Sequence, residues 1–170
     1  MEEEIVNRVA NSKLEVIDLE DYYPKGDRIL LDISQWLEGG IILVEKKFRA
    51  LLKSVNWSVY KDTYVALHCA TDAIIPSWAY NLVAANLKGI TRKTVVGDLN
   101  LLESLIYQEV INSLDLDYLD GKPVIIKGCS KKPVPESAYV LLADKIQDKV
   151  VSIMYGEACS AVPIVKNKRS

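Results

Sequence analysis

The stretch 122-KPVIIKGCSKKPVPESAYVLLADKIQDKVVSIMY-155 decides the fold. It opens on a β-rich apolar run, "KPVIIK" (122–127). A turn with Gly128 and two prolines follows. The segment 135–148, "PESAYVLLADKIQD", then carries Pro and Glu in its first turn, which predicts a helix. "KVVSIMY" (149–155) returns to strand composition. Strand, helix and strand in one 34-residue passage predict a parallel βαβ unit with a right-handed crossover.

Upstream the same rhythm recurs. "TYVALH" (63–68) reads as a strand. "IPSWAYNLVAANLKG" (75–89) has Trp78, Ala79, Leu82, Val83 and Leu87 near helical spacing, with Pro76 suited to the start and Gly89 to the stop. "KTVVGD" (93–98) reads as a strand, and Asp98 is placed to cap the helix that Leu99, Leu102, Leu105, Ile106 and Val110 outline. The expected order is β-α-β-α-β-α-β, over residues 61–165. Residues 1–60 read as an N-terminal α/β extension. It has a short helix at "EIVNRVA", strands at "DRILLDIS" (27–34) and "IILV" (41–44), a turn at "QWLEGG" and an amphipathic helix at "EKKFRALLKSV". The expectation is one α/β domain over residues 1–170, three-layered, with a mainly parallel sheet.

Composition narrows the function. Of 170 residues 49% are hydrophobic and 26% charged, and the formal net charge is −2, as in soluble globular chains. Lys and Arg are scattered, so no nucleic-acid footprint is expected. No run approaches the roughly 20 apolar residues of a membrane span. "MEEEIVNRV" is acidic and lacks the apolar core of a signal peptide. The expected location is cytoplasmic, where three cysteines argue against a disulfide framework. G-x-x-x-x-G-K-[ST], G-x-G-x-x-G after a strand and G-x-S-x-G are absent, so no nucleotide fingerprint or hydrolase elbow is expected.

"CATDAIIPSWAY" (69–80) and "GCSKKPVPESAY" (128–139) echo one another in Cys, Pro and Ala-Tyr. Cys69, Cys129 and Cys159 each fall at or just after the carboxyl end of an expected strand. In open parallel sheets ligands bind beyond that edge. If the strands are neighbours, the edge collects His68 (the single histidine), Cys69, Asp72, Asp98, Cys129, Glu157 and Cys159. Helix N-termini and Lys127, Lys131 and Lys132 would favour thiolates there. Three thiolates suit an iron–sulfur cluster or Zn²⁺. His68 would be a further or alternative ligand, and Asp72, Asp98, Lys127 and Glu157 would support the site. Two other readings stay open. One is a metal-free cysteine enzyme, a transferase or hydrolase, with Cys129 as nucleophile and His68 as base. The other is an accessory binding protein whose cysteines are small buried hydrophobes.

"YVALHCATDAIIPSWAYNLVA", "VIIKGCSKKPVPESAYV" and "SIMYGEACSAVPI" resemble the hallmark segments of the uncharacterised bacterial family DUF2480. "DLEDYYP" and "RILLDISQWLEGGIILVEKKFR" resemble its N-terminal part. The resemblance spans nearly the whole chain and implies little about activity. It implies an association with iron–sulfur assembly of the sulfur-mobilisation type. On that basis iron–sulfur assembly proteins are the expected partners, and a cluster is favoured over zinc.

Overall fold

A computed structural model describes residues 14–128, 131–157 and 160–167. The elements are β1 (Glu15–Ile17), β2 (Arg28–Asp32), α1 (Glu45–Ser54), β3 (Tyr64–His68), α2 (Ser77–Leu87), β4 (Lys93–Val96), α3 (Leu99–Ser113), β5 (Pro123–Ile126), α4 (Glu136–Ile146), β6 (Ser152–Tyr155) and β7 (Val162–Lys166). Short 3-10 turns follow β1 and β2 and precede β3 and β5. The class is α/β and the strands are mainly parallel, as the βαβ pattern predicts.

The strands lie in two sheets. β2, β3 and β4 form one, in that order, all parallel; β1, β5, β6 and β7 form the other, with only β7 antiparallel. Two compact units result. One is Pro24–Ile106; the other takes the described residues before Pro24 and after Ile106. The division falls inside α3, and the first unit is inserted in sequence between β1 and the rest of the second.

Each unit has its own core, built the same way. In the Pro24–Ile106 unit, Leu31, Ile33, Phe48, Leu52, Val65, Leu67, Ala79, Val83 and Leu87 are buried together. In the other, Ile17, Leu19, Tyr107, Ile111, Val124, Ile126, Ala138, Leu142 and Ile146 are. β3 and β5 are central strands covered on both faces, hence their unbroken apolar runs. Helices α2 and α4 bury every fourth residue, with alanine first, which lets each start close to its sheet. At about 1.5–3 kcal/mol per fully buried large apolar side chain, these stripes outweigh local propensity.

The units are repeats of one plan. Residues 45–98 match 104–157 at a constant offset of 59, the separation of Pro76 from Pro135. Backbone bonds correspond one to one. Arg92 N donates to Thr63 O at 2.8 Å, and Val151 N to Lys122 O at 2.9 Å. Gly97 N donates to Leu67 O at 2.9 Å, and Gly156 N to Ile126 O at 3.0 Å. Ala79 N donates to Pro76 O and Ala138 N to Pro135 O, both at 2.9 Å. The first strands correspond too, since Glu15 pairs with Val124 and Ile29 with Val65. Thus the Pro and Ala-Tyr echo marks equivalent helix starts.

Several local expectations change. "IILV" forms no strand; it contributes a single bridge, Glu38 to Ile42, because Gly39 and Gly40 turn the chain too tightly for a ladder. β1 and β7 were not anticipated. Both are edge strands, where three residues or a proline suffice. β2 and α1, from the first sixty residues, share the core of β3 and α2. The expected helix at "EIVNRVA" lies outside the described residues.

Arg28 anchors the amino end of β2. Its guanidinium makes a two-pronged pair with Glu103, 2.9 Å on each prong, and donates to Pro24 O and Gly26 O. It also lies 4.8 Å from the centre of the Tyr64 ring. The two charged side chains are only 11% and 9% exposed. Removing one partner of such a pair typically costs about 3–5 kcal/mol.

Candidate functional site

In each unit an aspartate stands at the end of the first strand or just past it, Asp32 closing β2 and Asp18 following β1, and each ties down the carboxyl edge of its sheet. Asp32, at the end of β2, is the register partner of His68 on β3. Its Oδ1 accepts Ser34 N at 2.9 Å and Ala70 N at 3.0 Å, and its Oδ2 accepts the Ser34 hydroxyl at 2.6 Å. It therefore caps the 3-10 turn after β2 and holds the loop after β3. Burial pushes its carboxyl upward. The Ser34 and Ala70 hydrogen bonds and the nearby His68 outweigh that and keep it below the ordinary 3.8.

Cys69 is half-buried beside this knot. Its Sγ donates to Thr71 O at 3.5 Å and lies 3.4 Å from Thr71 Oγ1. Thr71 Oγ1 in turn donates to Gly40 O at 2.6 Å. The Tyr80 hydroxyl is pushed up by burial first, then by Cys69 and Asp32. Asp32, His68, Cys69 and Tyr80 thus share one neighbourhood. Asp72 is exposed in the loop beyond. Asp98 accepts Leu101 N at 2.8 Å and caps α3.

The other unit repeats the arrangement with different chemistry. Asp18 follows β1. Its Oδ1 accepts Glu20 N at 2.9 Å, and its Oδ2 takes Lys127 Nζ at 2.7 Å. Burial raises the Asp18 carboxyl, but the Lys127 bond and charge bring it below the ordinary value. Lys127 is raised, chiefly by its hydrogen bond to Asp18, with Glu157 and Glu20 adding to it. Glu20 Oε1 accepts the backbone N–H groups of Lys131 and Lys132. Lys132 Nζ reaches Glu20 O at 3.3 Å and lies 5.4 Å from the Tyr23 ring centre. Here Lys127 stands at the position of His68, and Glu157 at that of Asp98.

The cysteines do not match across the repeat. At the offset of 59, Cys69 corresponds to Gly128, and Cys129 to Ala70. The reason is steric. A Cβ at Gly128 would lie 2.7 Å from Tyr155 Cε1. Tyr155 is fixed edge-on against Tyr139, and its hydroxyl donates to Gly128 O at 3.4 Å. At the position Tyr155 holds on β6, β4 carries the smaller Val96.

Of the residues singled out from sequence, His68, Cys69, Asp72 and Asp98 belong to the Pro24–Ile106 unit, and Lys127 and Glu157 to the other. Cys129 and Cys159 lie outside the described residues. β3 and β5 are not sheet neighbours, so one continuous sheet edge does not gather the group. Among the described residues no cluster of three or more His, Cys, Asp or Glu is placed to hold a metal ion. Sequence reasoning passed over Asp18 and Asp32. Their signal was present: "VIDLEDY" and "LLDISQW" share an aspartate between apolar residues at a strand end.

A family model described as "Protein of unknown function (DUF2480)" matches residues 3–167. The chain belongs to the DUF2480 family. No curated protein and no solved structure matches it. For this DUF2480 chain, the match accounts for both units together. Among its described residues, no helix is long and apolar enough to cross a membrane.

Proposed function

We propose that this DUF2480 protein handles an iron–sulfur cluster or another thiophilic metal in the cytoplasm, alongside iron–sulfur assembly proteins. Cys129 and Cys159 would provide the thiolates. The observation that carries the reading is the pairing of β5 with β6, which extends to Gly156 N donating to Ile126 O at 3.0 Å. Cys129 and Cys159 follow these two adjacent, parallel strands in sequence, three residues after Ile126 and four after Tyr155. Thiolate is the donor that such metals prefer.

The described residues do not themselves fit a cluster. Cys69, the one cysteine among them, is engaged with Thr71 in its own loop. Lys127 is held by Asp18. The proposal therefore rests on Cys129 and Cys159.

Purification without oxygen, followed by iron, zinc and acid-labile sulfide analysis and visible spectroscopy, tests this. Bound metal is expected in the wild type and in Cys69→Ser, and is expected to be lost in Cys129→Ser/Cys159→Ser. A metal-free wild type with one hyper-reactive thiol overturns the proposal in favour of a metal-free cysteine enzyme.

A further inference from the structure

The repeat provides an internal comparison of two sheet edges. In one unit the last parallel strand, β6, is covered by β7. That antiparallel segment sets Lys166 opposite Ser152, Val165 opposite Ile153, Pro163 opposite Met154 and Val162 opposite Tyr155. In the other unit the equivalent strand is β4, and among the described residues no strand pairs with its outer edge. After β4 the chain turns into α3, so this unit has no counterpart of β7. Burial differs at one position of the two strands: Ile153 of β6 is 0% exposed, whereas its equivalent, Thr94, is half-buried.

Beside β4 lies a shallow groove of about 430 Å³, lined by Asn81 and Ala85 on the outer face of α2, by Lys88 just past its end, and by Thr91, Arg92 and Thr94. The charge here differs from that of the sibling edge. Lys88, Arg92 and Lys93 stand where the other unit has Gln147, Val151 and Ser152. Three cations replace three uncharged residues, at the end of the edge where Lys166 sits opposite Ser152. A strand laid on β4 in the register of β7 would place its Lys166-equivalent residue opposite Lys93. A lysine there is destabilising and a carboxylate favourable. An open parallel edge is also a template for an added strand.

We propose that the outer edge of β4 is a docking site for an extended, acidic peptide segment of a partner protein. The segment adds as an antiparallel fourth strand in the register β7 takes on β6. Its β-branched residues lie along β4, and its acidic carboxyl-terminal end faces Lys88, Arg92 and Lys93.

The test uses two labelled peptides that span residues 161–167: the native AVPIVKN and its acidic form AVPIVEN. Binding to the full chain is followed by fluorescence anisotropy at low salt, and the contacted amides by ¹H–¹⁵N NMR. The acidic peptide is expected to bind at least tenfold more tightly than the native one, with shifts centred on residues 91–96. Lys88→Glu/Lys93→Glu, shown by circular dichroism to be folded, is expected to reverse that preference; single Lys88→Glu or Lys93→Glu serves if the double variant is unfolded. Absence of binding by either peptide at 1 mM concentration (on the order of the weakest specific contacts) overturns the proposal. So do shifts centred on β6, indifference to the charge reversal, or self-association of the chain through β4.

Discussion

Asp62 and Gly121 hold one backbone position in the two units. Their φ angles are 59° and 67°. Asp62 N donates to Ile90 O at 2.9 Å, and Gly121 N to Lys149 O at 3.0 Å. The turn into each central strand needs a left-handed residue, and the two units meet that need differently: glycine has no Cβ to strain, while aspartate is among the few residues that visit this region.

The first prediction follows. A Cβ at Gly121 meets nothing within 4 Å, so any cost is conformational. Gly121→Ala is expected to lose about 1 kcal/mol, and Gly121→Asp less than that. Urea unfolding midpoints at constant slope measure both; equal stability of Gly121→Ala and wild type would contradict the equivalence argued for the two turns.

A second prediction concerns Gly128 and Tyr155. A methyl at Gly128 collides with a ring held by Tyr139 and by the Gly128 carbonyl. Gly128→Ala is expected to cost about 1–3 kcal/mol, the range for overpacking. Adding Tyr155→Val, which copies Val96 of the other unit, is expected to remove most of that increment. The double-mutant cycle reads the coupling directly. Strict additivity would show that the ring does not exclude a side chain at 128.

The third prediction is pH dependence at Asp32. Its folded-state pKa lies below the ordinary 3.8, so folding favours the ionised form. The resulting stability is present above the unfolded-state value and is lost as pH falls through the depressed folded one. Asp32→Asn keeps an acceptor but no charge. Its stability deficit relative to wild type is therefore expected at pH 6 and should shrink towards pH 2.5. Thermal melts across that range check it; a deficit that is constant with pH would place the effect in shape rather than charge.

Much of this molecule was legible from local pattern. Pro76 and Pro135 mark helix starts, the four-residue spacing of Ala79, Val83 and Leu87 marks a buried stripe, and "VALH" and "VIIK" mark central strands. Local backbone chemistry and hydrophobic period determine those features, and both are written within a few residues of each other. β1 and β7 escaped notice because a three-residue strand and a proline-bearing edge strand carry too little pattern.

Strand partnership was decided only in three dimensions. Residues 93–96 and 123–126 look like successive strands of one sheet, yet β4 pairs with β3, and β5 pairs with β1, more than a hundred residues earlier. Parallel pairing is non-local: nothing near β5 records that its neighbour lies at residues 15–17. For the same reason the sequence displayed the echo between "CATDAIIPSWAY" and "GCSKKPVPESAY" without revealing its register. The chain by itself determined two βαβ passages and the residues at their strand ends. Tertiary pairing made them two repeats of one unit, set Asp32 beside His68 and Asp18 beside Lys127, and filled with a tyrosine ring the place that corresponds to Cys69.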